Sequence, residues 1–423
     1  MKSNMLEKNW KPCQSYCQMS GAAVALLSIQ DACVIFNGPR WCAVIAEREL
    51  TICKKSYEKR LFCAEVQETD LLFGADARIQ FIIEQIKQMM QPVLLGVLTS
   101  CSLSLIGDDT RGIALAAEPL CPIIALDAGG LNGEFCSGWQ MAMQAILQEV
   151  KFPSLHQRSV RRVNLLGCCS GYPDAEGDVA EWKRLLEAAG FEVGVCLGED
   201  GLTLPAIATL PQATLNVVIA KELAENLAKD LQARWQQPYI FAPAPYGFRQ
   251  SIEWLETIGQ ALNIPPQLTV LQQEIDVAID AVCEQYFLFQ KIIPDFFLKR
   301  AVLALPYSRA VPLGRALQTE VLDIPELVYC IQDAAFDLHE QNIGMAEMPP
   351  VVLETNSYQL LFGSRSARYA AENWSHTVYI NGYIPDSRIQ RWHQTYTGIR
   401  GWQILMDAIL QQLDILCHNN QTK

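Results

Sequence analysis

Three cysteines stand where an apolar segment hands over to small, turn-forming residues. They are Cys17 in Cys17-Gln-Met-Ser-Gly-Ala22, Cys42 in Asn37-Gly-Pro-Arg-Trp-Cys42, and Cys101 in Thr99-Ser-Cys101-Ser-Leu-Ser-Leu-Ile-Gly-Asp-Asp109. Thiolates are soft ligands, and three of them spread along an acidic chain suit an iron–sulfur cluster better than a disulfide framework. A four-iron cluster normally takes four protein ligands, so one position is left for another chain or another residue type. Gly21, Gly38 and Gly107, beside the cysteines, would let backbone come close to such a cluster, with peptide amides free to bond its sulfides. Cys13, four residues before Cys17, reads as a bystander.

The other motifs carry less chemistry. Cys168-Cys169 belongs to a strand-to-helix turn, and adjacent cysteines in extended chain point in divergent directions, which makes them poor joint ligands. The remaining cysteines, Cys63 among them, read as apolar or helical fillers. No Cys-x-x-Cys pair occurs, which excludes zinc ribbons, ferredoxin-type runs and thioredoxin chemistry together. No phosphate-binding Gly-x-x-x-x-Gly-Lys-Ser/Thr string occurs either, so ATP hydrolysis is not expected on this chain. His156, His339, His376, His393 and His418 show no zinc spacing, and His393 in Arg391-Trp-His-Gln-Thr-Tyr396 reads as a surface or hydrogen-bonded residue.

Strand-like and helical patterns alternate along the chain, the signature of βα units stacked around parallel sheets. Ala77–Met90 reads as a helix and Pro92–Leu98 as a buried strand leading into Cys101, which is expected on a loop at the strand's C-terminal end. A helix is expected to start at Asp108–Asp109, where carboxylates can cap free amides. A second unit runs from the Arg162–Leu166 strand through strands at Phe191–Cys196, Leu215–Ile219 and Pro238–Ala242. A third runs from Ala301 through Val351–Leu353 to Val378–Asn381, and a long helix over Ile399–Cys417 closes the chain. The expected architecture is α/β with three Rossmann-like domains, at residues 1–155 (cluster-binding), 156–265 and 266–423.

Half of the 423 residues are hydrophobic and only 19% are charged, so apolar surface is available for a partner subunit as well as for cores. The formal charge of −13 excludes a nucleic-acid groove and an anionic membrane surface. No signal-peptide pattern opens the chain, and no apolar run reaches the ~18 residues of a membrane span, so a cytoplasmic protein is expected. Its fifteen cysteines are then mostly reduced thiols, comfortable where oxygen is scarce.

The three cysteine strings, in order and spacing, resemble the component 1 family of nitrogenases and nitrogenase-like reductases over nearly the whole chain. Ser100-Cys101 through Ile106-Gly-Asp-Asp109 is the most specific match. Gly138-Trp139, the Gly167 turn, Thr355-Asn-Ser-Tyr358 with Gly363-Ser364, and Trp392-His-Gln-Thr-Tyr-Thr-Gly-Ile-Arg-Gly401 are similar to β-chains of the molybdenum–iron type. The resemblance implies three Rossmann-like domains and pairing with a homologous α-like subunit, or with a second copy, around an iron–sulfur cluster of 4Fe-4S or 8Fe-7S type. Cys17, Cys42 and Cys101 would be its ligands, with Gly38, Gly107 and Glu134 shaping or completing the site. Glu134 stands near where the family's β-chain has a serine. ATP would be used only by a partner iron protein that donates low-potential electrons for reduction of a small-molecule substrate. Ala220, in Leu215-Asn-Val-Val-Ile-Ala220, occupies the position of the cysteine that holds the large cofactor in catalytic α-chains. The implied role is therefore a β-like electron-relay subunit, with a scaffold subunit for metallocofactor assembly as the alternative.

Overall fold

The computed structural model describes residues 17–421 apart from 54, 108, 117–120, 154–156, 173–174, 293–297, 321, 330–358, 364–376 and 382–394. Its strands form three parallel four-stranded sheets. The first holds β1 (Ala32–Asn37), β2 (Leu61–Cys63), β3 (Leu94–Thr99) and β4 (Ile123–Asp127), in the order β2-β1-β3-β4. The second holds β5 (Ser159–Leu166), β6 (Glu192–Leu197), β7 (Ala213–Val218) and β8 (Tyr239–Phe241), ordered β6-β5-β7-β8. The third holds β9 (Arg300–Leu303), β10 (Glu326–Tyr329), β11 (Leu360–Gly363) and β12 (Val378–Asn381), ordered β10-β9-β11-β12. All three share one topology, in which strand order reverses between the first and third strands. In an open parallel sheet that reversal leaves a crevice beyond the strands' C-terminal ends, the usual place for a ligand. The three-sheet α/β architecture is the one expected from the sequence.

Every residue of β1 and β3 is buried, as parallel strands covered on both faces must be. Their cover includes the helix Gln18–Leu27, itself buried along its entire length. With the following strand it accounts for the apolar stretch Gly21–Phe36, broken by a turn in which Asp31 takes a left-handed conformation, φ 59°. The helix crosses Phe135–Glu149 at backbone contact. A Cβ on Gly21 would lie 1.9 Å from the Phe135 carbonyl oxygen, and one on Gly138 would lie 1.9 Å from that of Gln18. Gly21 therefore serves this crossing rather than the approach to a cluster. Arg60 satisfies the carbonyls at the helix's buried end, donating to Leu27 at 2.9 Å and to Ile29 at 2.8 Å.

Most of the expected elements are present within a few residues, including helices at Asp76–Met89, Ala175–Ala188, Thr269–Ile292 and Gly398–Gln421. Val351–Leu353 lies outside the described residues. Among the described residues no helix is long and apolar enough to cross a membrane.

Cys33, at the N-terminal end of β1, is 2% exposed, and burial pushes its thiol up to about 11, partly offset by the Arg60 guanidinium. The folded state holds this proton more tightly than the unfolded chain does. The associated stability is complete below pH ~8.5 and is lost as pH rises through about 11, a loss of order 3 kcal/mol. Urea midpoints should fall between pH 8 and pH 11, and Cys33→Val should flatten that fall.

Candidate metal centre

The crevice at the β1/β3 reversal carries the three cysteines, each in the first turn of a helix. Cys17 caps Gln18–Leu27, Cys42 is the third residue of Arg40–Cys53, and Cys101 opens Cys101–Ile106. The expected loop at Cys101 is thus a helix, begun at Ser100 and ended by Gly107 in a left-handed conformation, φ 75°. A second helix follows at Thr110–Ala116, and the Asp109 carboxylate accepts from the Gly112 amide at 3.0 Å, the capping expected there.

Hydrogen bonds across the strand ends fix the cysteine-bearing segments. The Ser100 amide donates to Asn37 O at 2.9 Å, the Ala128 amide to Thr99 O at 3.2 Å, and the Gln18 amide to Gly133 O at 3.2 Å. The Thr110 hydroxyl takes hydrogen bonds from Asn37 Nδ2 at 3.2 Å and Thr99 Oγ1 at 2.8 Å. Gly38 packs on Ser100, since a Cβ there would meet the serine Cβ at 2.5 Å. Glu134 is exposed and its backbone bridges that of Cys17.

The loop after β4 is the part that sequence reasoning missed. A Cβ on Gly129 would lie 3.0 Å from the Cys101 Cα and 3.2 Å from its Sγ, and one on Gly130 would lie 2.8 Å from the Cys17 Cβ. Gly129-Gly130 therefore threads against two of the three cysteines, and no larger residue fits without displacing them. The only signal in the sequence was a double glycine after an apolar run, which reads as an ordinary turn.

Cys42 and Cys101 are half-buried and Cys17 is exposed. Burial, then the charges of Cys17, Cys101 and Cys63, pushes the Cys42 thiol up. Mutual repulsion of this kind is what a cationic group among the thiols would relieve, with release of their protons. Among the described residues no three His, Cys, Asp or Glu side chains close around a single ion. Soft donors around a glycine-lined cradle fit a larger thiophilic group. Trp41 (74% exposed), Ile45, Leu105 (76%), Ile106 and Leu131 (72%) rim the same segments.

The reversal of the second sheet is narrow. Ala220 is buried, and the space around it is a cavity of about 10 Å³, room for one water, lined by Cys168, Cys169, Tyr172, Trp182, Ala220 and Arg309. Burial, then the neighbouring Cys196, keeps the Cys168 thiol well above the usual range. Arg309 reaches in from the third unit, donating to Asp178 Oδ2 at 2.6 Å, with its guanidinium 5.3 Å from the Tyr172 ring centre. Burial would lower its pKa, but the Asp178 carboxylate outweighs this and raises it. Asp178 Oδ1 accepts from the hydroxyls of Thr395 at 2.6 Å and Thr397 at 3.1 Å. The described part of the tail motif is thus a lock on Asp178, while His393 lies outside the described residues.

A protein-family model for nitrogenase component 1 type oxidoreductases matches residues 17–414. The chain belongs to that family. Among its relatives, the nitrogenase vanadium–iron protein beta chain of Trichormus variabilis is 21% identical over 93% of this chain and 91% of its own length. The nitrogenase iron–molybdenum cofactor biosynthesis protein NifE of Methanosarcina barkeri is 27% identical over 54% of this chain, and the match spans 51% of NifE. Against the solved structure of nitrogenase Cp1 at pH 6.5 the TM-score is 0.76 at 18% identity, covering 96% of this chain and 93% of the other. That likeness bears on the fold, which is the component 1 fold.

Proposed function

We propose that this chain is the β-like subunit of a nitrogenase-like two-component reductase. In this reading Cys17, Cys42 and Cys101 hold an iron–sulfur cluster that relays low-potential electrons from an ATP-dependent iron protein to a substrate or metallocofactor on a partner chain. The observation that carries the reading is the convergence of three thiols on the first sheet's strand-order reversal, each at the start of a helix. Bound there, the cluster supplies one-electron chemistry at low potential. The chain's own part is to hold three thiolates at helix N-termini and to bring backbone close through Gly38 and the Gly129 loop. Gly107 ends the helix that carries Cys101, and Glu134 offers a carboxylate from the segment that bridges Cys17.

The exposed apolar rim of Trp41, Ile45, Leu105, Ile106 and Leu131 supports a covering partner, a homologous α-like subunit or a second copy. Whether the cluster is of 4Fe-4S or 8Fe-7S type then depends on how many ligands that partner adds. The narrow space at Ala220 supports placing the substrate or large cofactor on the partner.

The likeness to NifE favours a second reading, a scaffold subunit on which a metallocofactor is assembled. Anaerobic co-purification with the partner chain, followed by addition of the iron protein and MgATP, separates the two. ATP-dependent reduction of the cluster, followed by multiple-turnover substrate reduction, supports the reductase. Reduction without turnover, together with transfer of metal to an acceptor apoprotein, supports the scaffold. Absence of iron and sulfide in every preparation overturns both.

A further inference from the structure

Four thiols, not three, are arrayed along the C-terminal edge of the first sheet. Cys63 is the last residue of β2 and pairs laterally with Phe36, one residue before the end of β1. It packs against the main core on the same sheet face as Cys42, whereas its neighbour Phe62 packs into the cluster on the opposite face with Cys33. Its thiol donates to the carbonyl oxygen of Gly38 at 3.8 Å, and Gly38 opens the turn leading to Cys42. The same carbonyl accepts the Val66 amide at 3.0 Å, so the segment after β2 is laced to the segment before Cys42. Across the edge of the sheet the order is Cys63 after β2, Cys42 after β1, Cys101 after β3, and Cys17 against the loop after β4.

Burial pushes the Cys63 thiol up, as it does that of Cys42. The Glu65 amide donates to its Sγ at 3.3 Å, with Glu65 held at φ 49° so that the chain turns back on the thiol. That amide and the Arg40 guanidinium offset the burial only in part, and metal binding would release the proton. Cys63 is half-buried, and its charge is one of those felt by Cys42. Cys33 and Cys121, by contrast, lie at the other end of the same sheet, before or at the start of their strands.

We propose that Cys63 is a fourth protein thiolate for the iron–sulfur cluster, so that this chain can hold a four-iron cluster without a ligand from its partner. The proposal rests on the cluster reading of Cys17, Cys42 and Cys101. In the step an iron–sulfur bond forms to Cys63 Sγ, its proton leaves to solvent, and no electron is transferred. A partner that brings its own ligands would compete with Cys63, making this residue decisive for the chain on its own.

The test uses the full chain, purified anaerobically without its partner and reconstituted with ferrous iron and sulfide. Iron and sulfide per chain, and the rate of iron loss to a chelator, are measured for the parent, Cys63→Ala, Cys63→Ser and Cys101→Ala. Loss from Cys63→Ala is expected to be ~10–100-fold faster than from the parent, with Cys63→Ser between them. The serine variant keeps the side chain's shape, and equal circular dichroism melting rules out a folding effect. Parent-like iron content and chelator resistance in Cys63→Ala, with loss in Cys101→Ala, would overturn the fourth-ligand assignment alone. Parent-like retention in both would overturn the cluster reading with it.

Discussion

Cys101→Ala is expected to leave the anaerobically purified chain with iron and acid-labile sulfide near zero, and Gly129→Val should come close to the same result with every cysteine intact. Cys101 is pinned by its neighbours. Its helix starts where the Ser100 amide bonds Asn37, and Gly129 packs on its backbone, so the segment is held in place. In Gly129→Val the added carbon would sit 3.0 Å from the Cys101 Cα and 3.1 Å from its amide nitrogen, atoms that cannot swing aside as a flexible side chain can. The loop must lift, taking Cys101 or Cys17 out of register. A fall in iron to about a tenth of the parent level or below is the expected size, in line with the 10–100-fold effects of disturbed ligand support. Iron content and reduced-state EPR check both variants, and unchanged melting in Cys101→Ala shows that the fold survives. A cluster signal persisting in Cys101→Ala would contradict the ligand assignment.

The second large effect is one of stability. Arg309→Met is expected to destabilise the chain by about 3–5 kcal/mol, because it leaves the Asp178 carboxylate buried without its cation. Asp178→Asn should do the same from the other side. Exchanging both for apolar residues, Asp178→Leu with Arg309→Met, should recover part of the loss, since it removes the uncompensated charge along with the attraction. The unit built on the second sheet and the tail at Thr395–Thr397 meet at this pair, so a drop on the order of 10 °C in the main thermal transition is the measurable outcome. Additive losses in the double variant would show that the pair is not coupled.

Cys17, Cys42 and Cys101 could be singled out in the sequence because thiols beside turn residues are rare and chemically loud. The parallel strands were readable for a related reason: Leu94–Thr99 is a continuous apolar run, as a strand buried on both faces must be. What escaped depends on distance along the chain. Gly129 matters only because it touches Cys101, and Asp178 only because Arg309, 131 residues later, lies against it. The Cys101–Ile106 helix was hidden by its serines, which favour caps and turns over helix interiors. Cys63 sits in an apolar string, Leu-Phe-Cys-Ala, that reads as core until β2 is laid beside β1. The tail string around Thr395 was legible as a motif but not as a lock, since its partner Asp178 lies in another unit.

The shared strand order of the three sheets turns the usual question about a site around. A parallel sheet of this topology has an opening at its reversal by default, and this chain has three such places. Packing has narrowed the second with a buried cation that reaches across from the neighbouring unit, down to about the volume of one water. Keeping an opening therefore needs no special sequence, whereas closing one needs a committed set of side chains. A relative that hosts a large cofactor at the second position would need only smaller or differently placed residues there. On this view chains of such a family diverge chiefly by which of their inherited vacancies they leave unfilled.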